Sequence, residues 1–470
     1  MTQLATQGKS IFANKGTYLK NFTRIDKHVA GPPRPWLAEL HRAGVARFEA
    51  VGFPTTDEEE WRFTNVAALA KATLVPPARA AEAATKELAA RFGFGAEAGI
   101  ELIFINGQFA PELSHGEIAS GNVRVQPLSA ALVQEAGSSI EPHLGHLASI
   151  DANPFVAMNS GLFREGAVVQ IGRGAIVERP IHLLFLSLPT GHSASEIPAA
   201  HPRVLVVAEE NVSVSIVESY GGEAGRGPAY FTNAVTEIVA GAASHIDHCK
   251  IQHESSAAFH VATMHVSLAS RAAFVSHAVS IGSKLARNDL IVTMNGNAAE
   301  ATLNGLVLLA DGQHCDNHTL LDHAFPMCPS HELYKHVLGG RSTGVFKGKI
   351  LVRPDAQKTD SKQTSKSLLL GDDAVMNSQP ALEIYADDVK CTHGSTTGPV
   401  DEEMVFYLRS RGVDLEASRH LLTYAFAADI TRRIKIEPVR RRVEDFMAAR
   451  AGLPQDLRIT DLGRHDEKSR

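Results

Sequence analysis

The feature that most constrains this chain is a recurrence of about thirty residues in its middle. Successive copies read AEENVSVSIVE from Ala208, VAGAASHIDHCKI from Val239, LASRAAFVSHAVSI from Leu268 and MNGNAAEATLNGLVLL from Met294. Their turns fall near Asn211, Gly241, Arg271 and Ala298, spaced 30, 30 and 27 residues apart. A fixed period of that size marks stacked supersecondary units. Within each unit apolar residues alternate in twos, which excludes helical repeats, and the unit is too short for the four strands of a propeller blade. A parallel β-helix, or a flattened two-sided form of it, remains. Each coil buries its inward side chains only against its neighbours, so the ends of the stack present strand edges that need a cap or a partner. An interaction surface at one end is therefore expected.

The flanks have a different period. From Pro35 to Phe92 apolar residues such as Trp36, Leu37, Leu40, Val45 and Phe48 recur at helical spacing. The stretch Gly99 to Phe109 alternates around an Asn-Gly pair, a hairpin signal. After Pro399, apolar residues return to helical spacing through Phe406, Leu415, Leu422, Tyr424 and Ile430, with Gly412 between helices. The predicted organisation is a mostly helical domain over 1–110, a connector over 111–154, a β-helix core over 155–398, a helical domain over 399–452 and a mobile tail over 453–470. The fold class is thus mainly β with helical flanks.

Composition and missing motifs narrow the function. A formal charge of -6 argues against a surface that neutralises many phosphates, so no nucleic-acid partner is expected. Cysteines at 249, 315, 328 and 391 are too few and scattered for a disulfide framework, as in a reducing compartment. The first twenty residues carry no continuous apolar run, and Ile100–Ile105 and Ile181–Leu188 are far too short to cross a bilayer. The expectation is a cytoplasmic chain with no membrane partner. No P-loop, C-x-x-C or H-E-x-x-H occurs. The G-x-G runs at Gly93, Gly172 and Gly225 lack the order of a dinucleotide fold. A G-x-S-x-G at Gly340–Gly344 precedes VFKGKILV, which reads as strand rather than the helix a nucleophile elbow requires.

Histidine is the surplus residue. Eleven of 22 lie between His245 and His336, including His245, His248 and Cys249 on one strand and His314, Cys315, His318 and His323 further on. These could ligate zinc or iron, or simply fill coils; alternation puts His245, Asp247 and Cys249 on one face and His248 on the other. Cys391-Thr392-His393 is a second candidate. Residues two apart on a strand share a face, so this pair offers half of a tetrahedral site that another chain could complete, or else a buried cysteine beside a surface histidine.

The run LEIYADDVKCTHGSTTGPVDEEMVFYLRSRG from Leu382 resembles the C-terminal signature of the SufB/SufD family of iron-sulfur cluster assembly scaffolds. AQKTDSKQTSKSLLL from Ala356, DNHTLLDHAFPMCPSHELYK from Asp316 and DEEEWRFTNVAAL from Asp57 resemble further family segments. Gly394 and Ser395 after His393 resemble the SufD branch rather than the SufB branch. The resemblance implies a right-handed parallel β-helix between helical domains and a complex with a SufB-like β-helix subunit and a SufC-like ABC ATPase. It also implies a chain without catalysis or a permanent cofactor, whose His393, with Cys391 as second ligand, meets transient iron or a nascent cluster at the SufB interface. A homodimer in isolation is an open alternative.

Two other readings stand beside it. A carbohydrate-active β-helix enzyme would use a carboxylate pair such as Asp387 and Asp388. A self-contained metalloenzyme would use the His-rich coils.

Overall fold

Ten-residue strands separated by tight turns give each coil two sides, and strands on the same side of successive coils pair in parallel. In the computed structural model, which describes residues 34–450 apart from 79–80, 117–118, 134–136, 189–195, 224–226 and 228, this produces two parallel-stranded faces of a solenoid. The tail expected at 453–470 and the first part of the N-terminal domain lie outside the described residues. Ser213–Gly222 pairs with His245–Glu254, and Phe231–Ala240 pairs with Phe259–Leu268. Consecutive strands alternate between the sheets through to Val375–Ile384 on one face and Lys390–Gly398 on the other. The flattened, two-sided form is the one adopted.

Alternation along each strand divides the side chains between a lumen and an outer surface. Val214, Ile216, Ile246, Phe274 and Leu303 from one sheet meet Ile238, Val266, Val292 and Ile350 from the other in a single buried core. Burying each such side chain stabilises by about 1.5–3 kcal/mol, so the stack is held by many equivalent contributions.

The turns repeat as a ladder. Asn211, Ala243, Arg271, Ala298, Met327 and Lys358 all have positive φ, between 55° and 63°. That conformation is unfavourable for residues with a Cβ. Here each turn N–H donates to a carbonyl of the next coil, from Asn211 to Ala242 at 2.9 Å through to Lys358 to Asp388 at 2.7 Å. The stacked hydrogen bonds offset the local strain. Three of the predicted turn centres coincide with this ladder, whereas the one placed at Gly241 lies at Ala243. At Gly340–Gly344 the chain turns and enters the strand Thr343–Val352, so Ser342 has no helix behind it.

The two ends of the solenoid differ. At the N-terminal end Ile100–Ile105 pairs in parallel with Ile181–Ser187 and then turns back as a hairpin with Gln108–Phe109. Asn106 and Gly107 supply the two positive-φ positions that this two-residue turn needs, at 52° and 71°. Val123–Pro127 runs antiparallel to Gly166–Ile171 and closes the other sheet. Strands from the stretches read as helical domain and connector thus belong to the solenoid sheets and cap that end. The helices Pro35–Val51 and Pro154–Leu162 pack together beside it.

The C-terminal helices lie against the outer face of the sheet that holds Ser213–Gly222 and His245–Glu254. Asp401 caps Glu402–Ser410 by accepting from the Glu403 and Met404 N–H groups, and Asp414 caps Leu415–Thr431 by accepting from Ala417. From Leu415–Thr431 and the following Glu437–Arg450, Tyr424, Ala427, Ile430, Val439 and Val443 cover Cys249, Ile251, Val279 and Leu306 of successive coils. No described helix is long and apolar enough to cross a membrane.

Candidate functional site

The last coil is where the stack stops. Val375–Ile384 and Lys390–Gly398 are the terminal strands of the two sheets, each paired to the preceding coil on one side. The opposite edge of each is unpaired among the described residues. Most residues of Lys390–Gly398 are exposed, as expected of a coil without a neighbour.

Register decides which side chains face the lumen. Cys391, His393 and Ser395 align with Ser361, Gln363 and Ser365 of the preceding coil, all three of which are buried inside the solenoid. Cys391 and His393 therefore share the inward face of the final strand, at the mouth of the lumen. Ser395 hydrogen-bonds Ser378 of the facing strand at 2.8 Å, which ties the two terminal strands together across that mouth. Cys391 packs partly against the core, and this burial raises its thiol above the usual range. His393 is exposed. A soft sulfur and a borderline nitrogen on one face can donate to an iron or zinc ion, and two donors leave half of a tetrahedral set to be supplied from outside the chain.

The other histidines do not converge. His248 points into the lumen and meets Glu218 at 3.1 Å, while Cys249 faces outward beneath the C-terminal helices. His318 meets Asp316 at 3.0 Å, His314 meets the Thr64 hydroxyl at 2.9 Å, and His323 meets the Ser330 hydroxyl at 3.0 Å. Among the described residues no group of three or more His, Cys, Asp or Glu side chains is arranged to hold a metal ion. Cys249, Cys315 and Cys328 are buried free thiols. Burial pushes the Cys249 thiol well up and the Cys315 thiol to about 12, so neither is a ready thiolate. Asp388 forms an exposed ion pair with Lys358 across the last turn.

A second exposed feature adjoins the open end. On Glu402–Ser410, Met404, Phe406 and Tyr407 are 47%, 74% and 52% exposed, an apolar face that no described residue covers. Leu422, which the sequence marks by helical spacing, and Phe426 on the same helix instead pack inward against Leu368, Val400 and Val405. Lys335 holds Phe426 in place through its carbonyl at 2.9 Å and its ring at 4.5 Å. Periodicity finds an apolar face without saying whether its own chain covers it. Gln363, directly behind His393, was also missed, although the offset between them equals the thirty-residue coil period.

Comparison with known proteins bears on these features. Residues 13–183 match the SufBD protein N-terminal region and residues 190–426 match the SufBD core domain of the SUF iron-sulfur cluster assembly system. The chain is 31% identical to an iron-sulfur cluster assembly SufBD family protein of Synechocystis, over 94% of this chain and 99% of that one. It is 29% identical to the iron-sulfur cluster assembly protein SufD of Escherichia coli, over 88% of this chain and 92% of that one. It is 24% identical to SufD of Bacillus subtilis, over 91% and 95% respectively. A β-solenoid with helical flanks, matched along nearly its whole length, belongs to the SufBD family of iron-sulfur cluster assembly proteins.

Proposed function

We propose that this chain is a SufD-type scaffold subunit that pairs through its open solenoid end with a SufB-like β-solenoid and lends His393, with Cys391, to iron or a nascent cluster held between them. The observation that carries this reading is the contrast between the ends. One is capped by antiparallel strands, and at the other both terminal edges are unpaired among the described residues, with Cys391 and His393 on the inward face. Edge pairing would satisfy the backbone groups of the last coil and bring a second set of ligands to the mouth.

The chain itself performs no bond-making step in this account. The exposed face of Met404, Phe406 and Tyr407 lies on the element next to the final strand, where a SufC-like ATPase would seat its own apolar surface. Closure of such a partner on ATP would shift the helices and with them the paired edges, coupling hydrolysis to access at the site. The complex would work in the cytoplasm, and the iron is cargo rather than a resident cofactor.

The experiment is co-purification. Tagged protein from its native host is expected to bring down an ABC-type ATPase and a second β-solenoid subunit. Recovery of the chain alone, loaded with stoichiometric metal and active on a small substrate, would overturn the scaffold reading.

A further inference from the structure

The outer face of the sheet that ends in Lys390–Gly398 carries one apolar column. Ile281, Leu308, Val337 and Leu368 follow one another in register on four successive coils, and the next position is Gly398. The C-terminal helices cover this column. Ile281, Leu308 and Val337 pack with Tyr424, Ala427 and Ile430, and Leu368 packs with Leu422 and Phe426. At Gly398 the column loses its side chain while the helix above it continues. The result is a cleft of about 390 Å³ between the last strand and the helices, lined by Leu368, Thr396, Gly398, Val400, Leu422 and Phe426. A Cβ placed on Gly398 meets nothing within 4 Å. Lys335 fixes the roof by holding Phe426 through its carbonyl and its ring. Among the described lining residues only Asp401 is charged, and its carboxylate accepts the Glu403 and Met404 N–H groups as a helix cap. The cleft therefore suits an apolar guest.

The unpaired edge runs past this cleft. The Lys390 N–H donates to the Thr359 carbonyl of the preceding coil at 2.8 Å. In a parallel ladder alternate residues bond the same neighbour, so the even-numbered residues of this strand are committed to that coil. Cys391, His393, Ser395 and Thr397 turn their N–H and C=O groups to the free edge, and Thr397 also lines the cleft. A strand laid along this edge lies about 4.8 Å away and places one residue directly opposite Gly398, with its side chain on the same outer face. That side chain is the next member of the column.

We infer that the partner strand seated on Lys390–Gly398 carries a large apolar side chain in register with Gly398, which fills the cleft beneath Phe426 and sets the register of the seam. The inference rests on the pairing of the open end with a second β-solenoid proposed above. A slip of one residue would turn this side chain to the lumen, so a filled cleft admits one alignment of the two edges. The occupant is a different chain rather than a second copy. On the outer face, Lys390–Gly398 of a second copy offers only lysine, threonine and glycine, and Val375–Ile384 offers nothing apolar larger than Val375. A second copy would leave the cleft underfilled, and an underfilled contact forfeits its packing.

The test uses the full-length chain and the solenoid partner that co-purifies with it, with affinity read by calorimetry and fold by thermal melts of the free chain. Gly398→Ala, Gly398→Leu and Gly398→Phe fill the cleft progressively from within, and the open space at Gly398 lets the free chain keep its wild-type melting midpoint. Affinity for the partner solenoid is expected to fall about threefold for Ala and roughly thirtyfold for Phe, the scale of an overpacked contact, while ATPase binding stays at its wild-type value. A drop in midpoint confined to Phe leaves Leu, expected at about tenfold, to decide. Wild-type partner affinity across the series would overturn the inference. So would loss of ATPase binding or of self-association in place of partner affinity, since either assigns the cleft to another occupant. Ser395→Pro removes an N–H from the free edge outside the cleft lining and so tests the pairing by itself. If Ser395→Pro binds the partner as wild type does, the edge-pairing reading fails and the register argument with it. If Ser395→Pro weakens binding and the Gly398 series does not, the pairing stands and the anchor alone fails.

Discussion

The Arg287 guanidinium stacks on the Trp61 ring, 3.9 Å from its centroid, and so clamps a short N-terminal turn onto the outer face of the solenoid. The same guanidinium donates to the Glu60 carbonyl at 2.5 Å and to Asp289 and Asp316 at 2.9 and 3.0 Å. Thr64 donates to Asp316 at 2.6 Å, and Glu60 reaches His318 and Lys347 at 3.3 and 2.7 Å. The clamp thus spans three coils and buries Trp61 to 3% exposure. Replacing Trp61 with Ala should destabilise the chain by about 3–5 kcal/mol, because it leaves a cavity and uncovers the guanidinium. Denaturant unfolding of W61A measures this, and a midpoint equal to wild type would show that the clamp contributes nothing to stability.

The clamp also predicts a pH dependence. Asp316 and Glu60 raise the His318 imidazole to about 9 from its ordinary 6.5, overcoming the opposing effect of burial. Stability from this group is complete below 6.5 and is lost as pH rises through 9. Glu60 is lowered to about 2 from 4.5, chiefly by its hydrogen bond to His318, so its share is complete above 4.5 and is lost as pH falls toward 2. The clamp should therefore be strongest between about pH 4.5 and 6.5. Thermal melts of His318→Gln and wild type should converge as pH is raised from 6.5 to 9.5. A difference that stays constant over that range would contradict the assignment.

Two apolar positions on neighbouring helices should behave oppositely. Phe406→Asp changes an exposed side chain, so stability should stay within about 0.5 kcal/mol of wild type, while binding of an ATPase partner should weaken by about 2 kcal/mol, roughly thirtyfold in Kd. Leu422→Asp should instead lower stability by about 1–3 kcal/mol, because Leu422 packs against Leu368, Val400 and Val405. Calorimetric binding and thermal melts on both variants separate the two effects. Full partner affinity in F406D would remove this face from the interface.

Much of this architecture is legible in the residues themselves. Alternation in twos and the near-thirty-residue period give the solenoid, and Asn211, Arg271 and Ala298 mark its turns. Asn106-Gly107 gives its hairpin for the same local reason. What is not legible is long-range. Ile100–Ile105 reads as one strand of a local hairpin, and only its pairing with Ile181–Ser187 makes it part of the solenoid sheet. The Trp61–Arg287 clamp joins segments far apart in sequence. At the open end, Cys391 and His393 are visible as a same-face pair, but that the face is the lumen follows from register with Ser361 and Gln363. Leu422 and Phe426 show the converse, since a pattern fixes the apolar side of a helix and not what covers it.

The most direct measurement of the central claim is anaerobic iron and sulfide content in the complex carrying His393→Ala, beside wild type, after cluster assembly. His393 is exposed and is not part of the core, so the variant should assemble with its partners normally while its iron and sulfide content drops sharply. An intact complex that holds wild-type iron and sulfide would contradict the placement of His393 at the site.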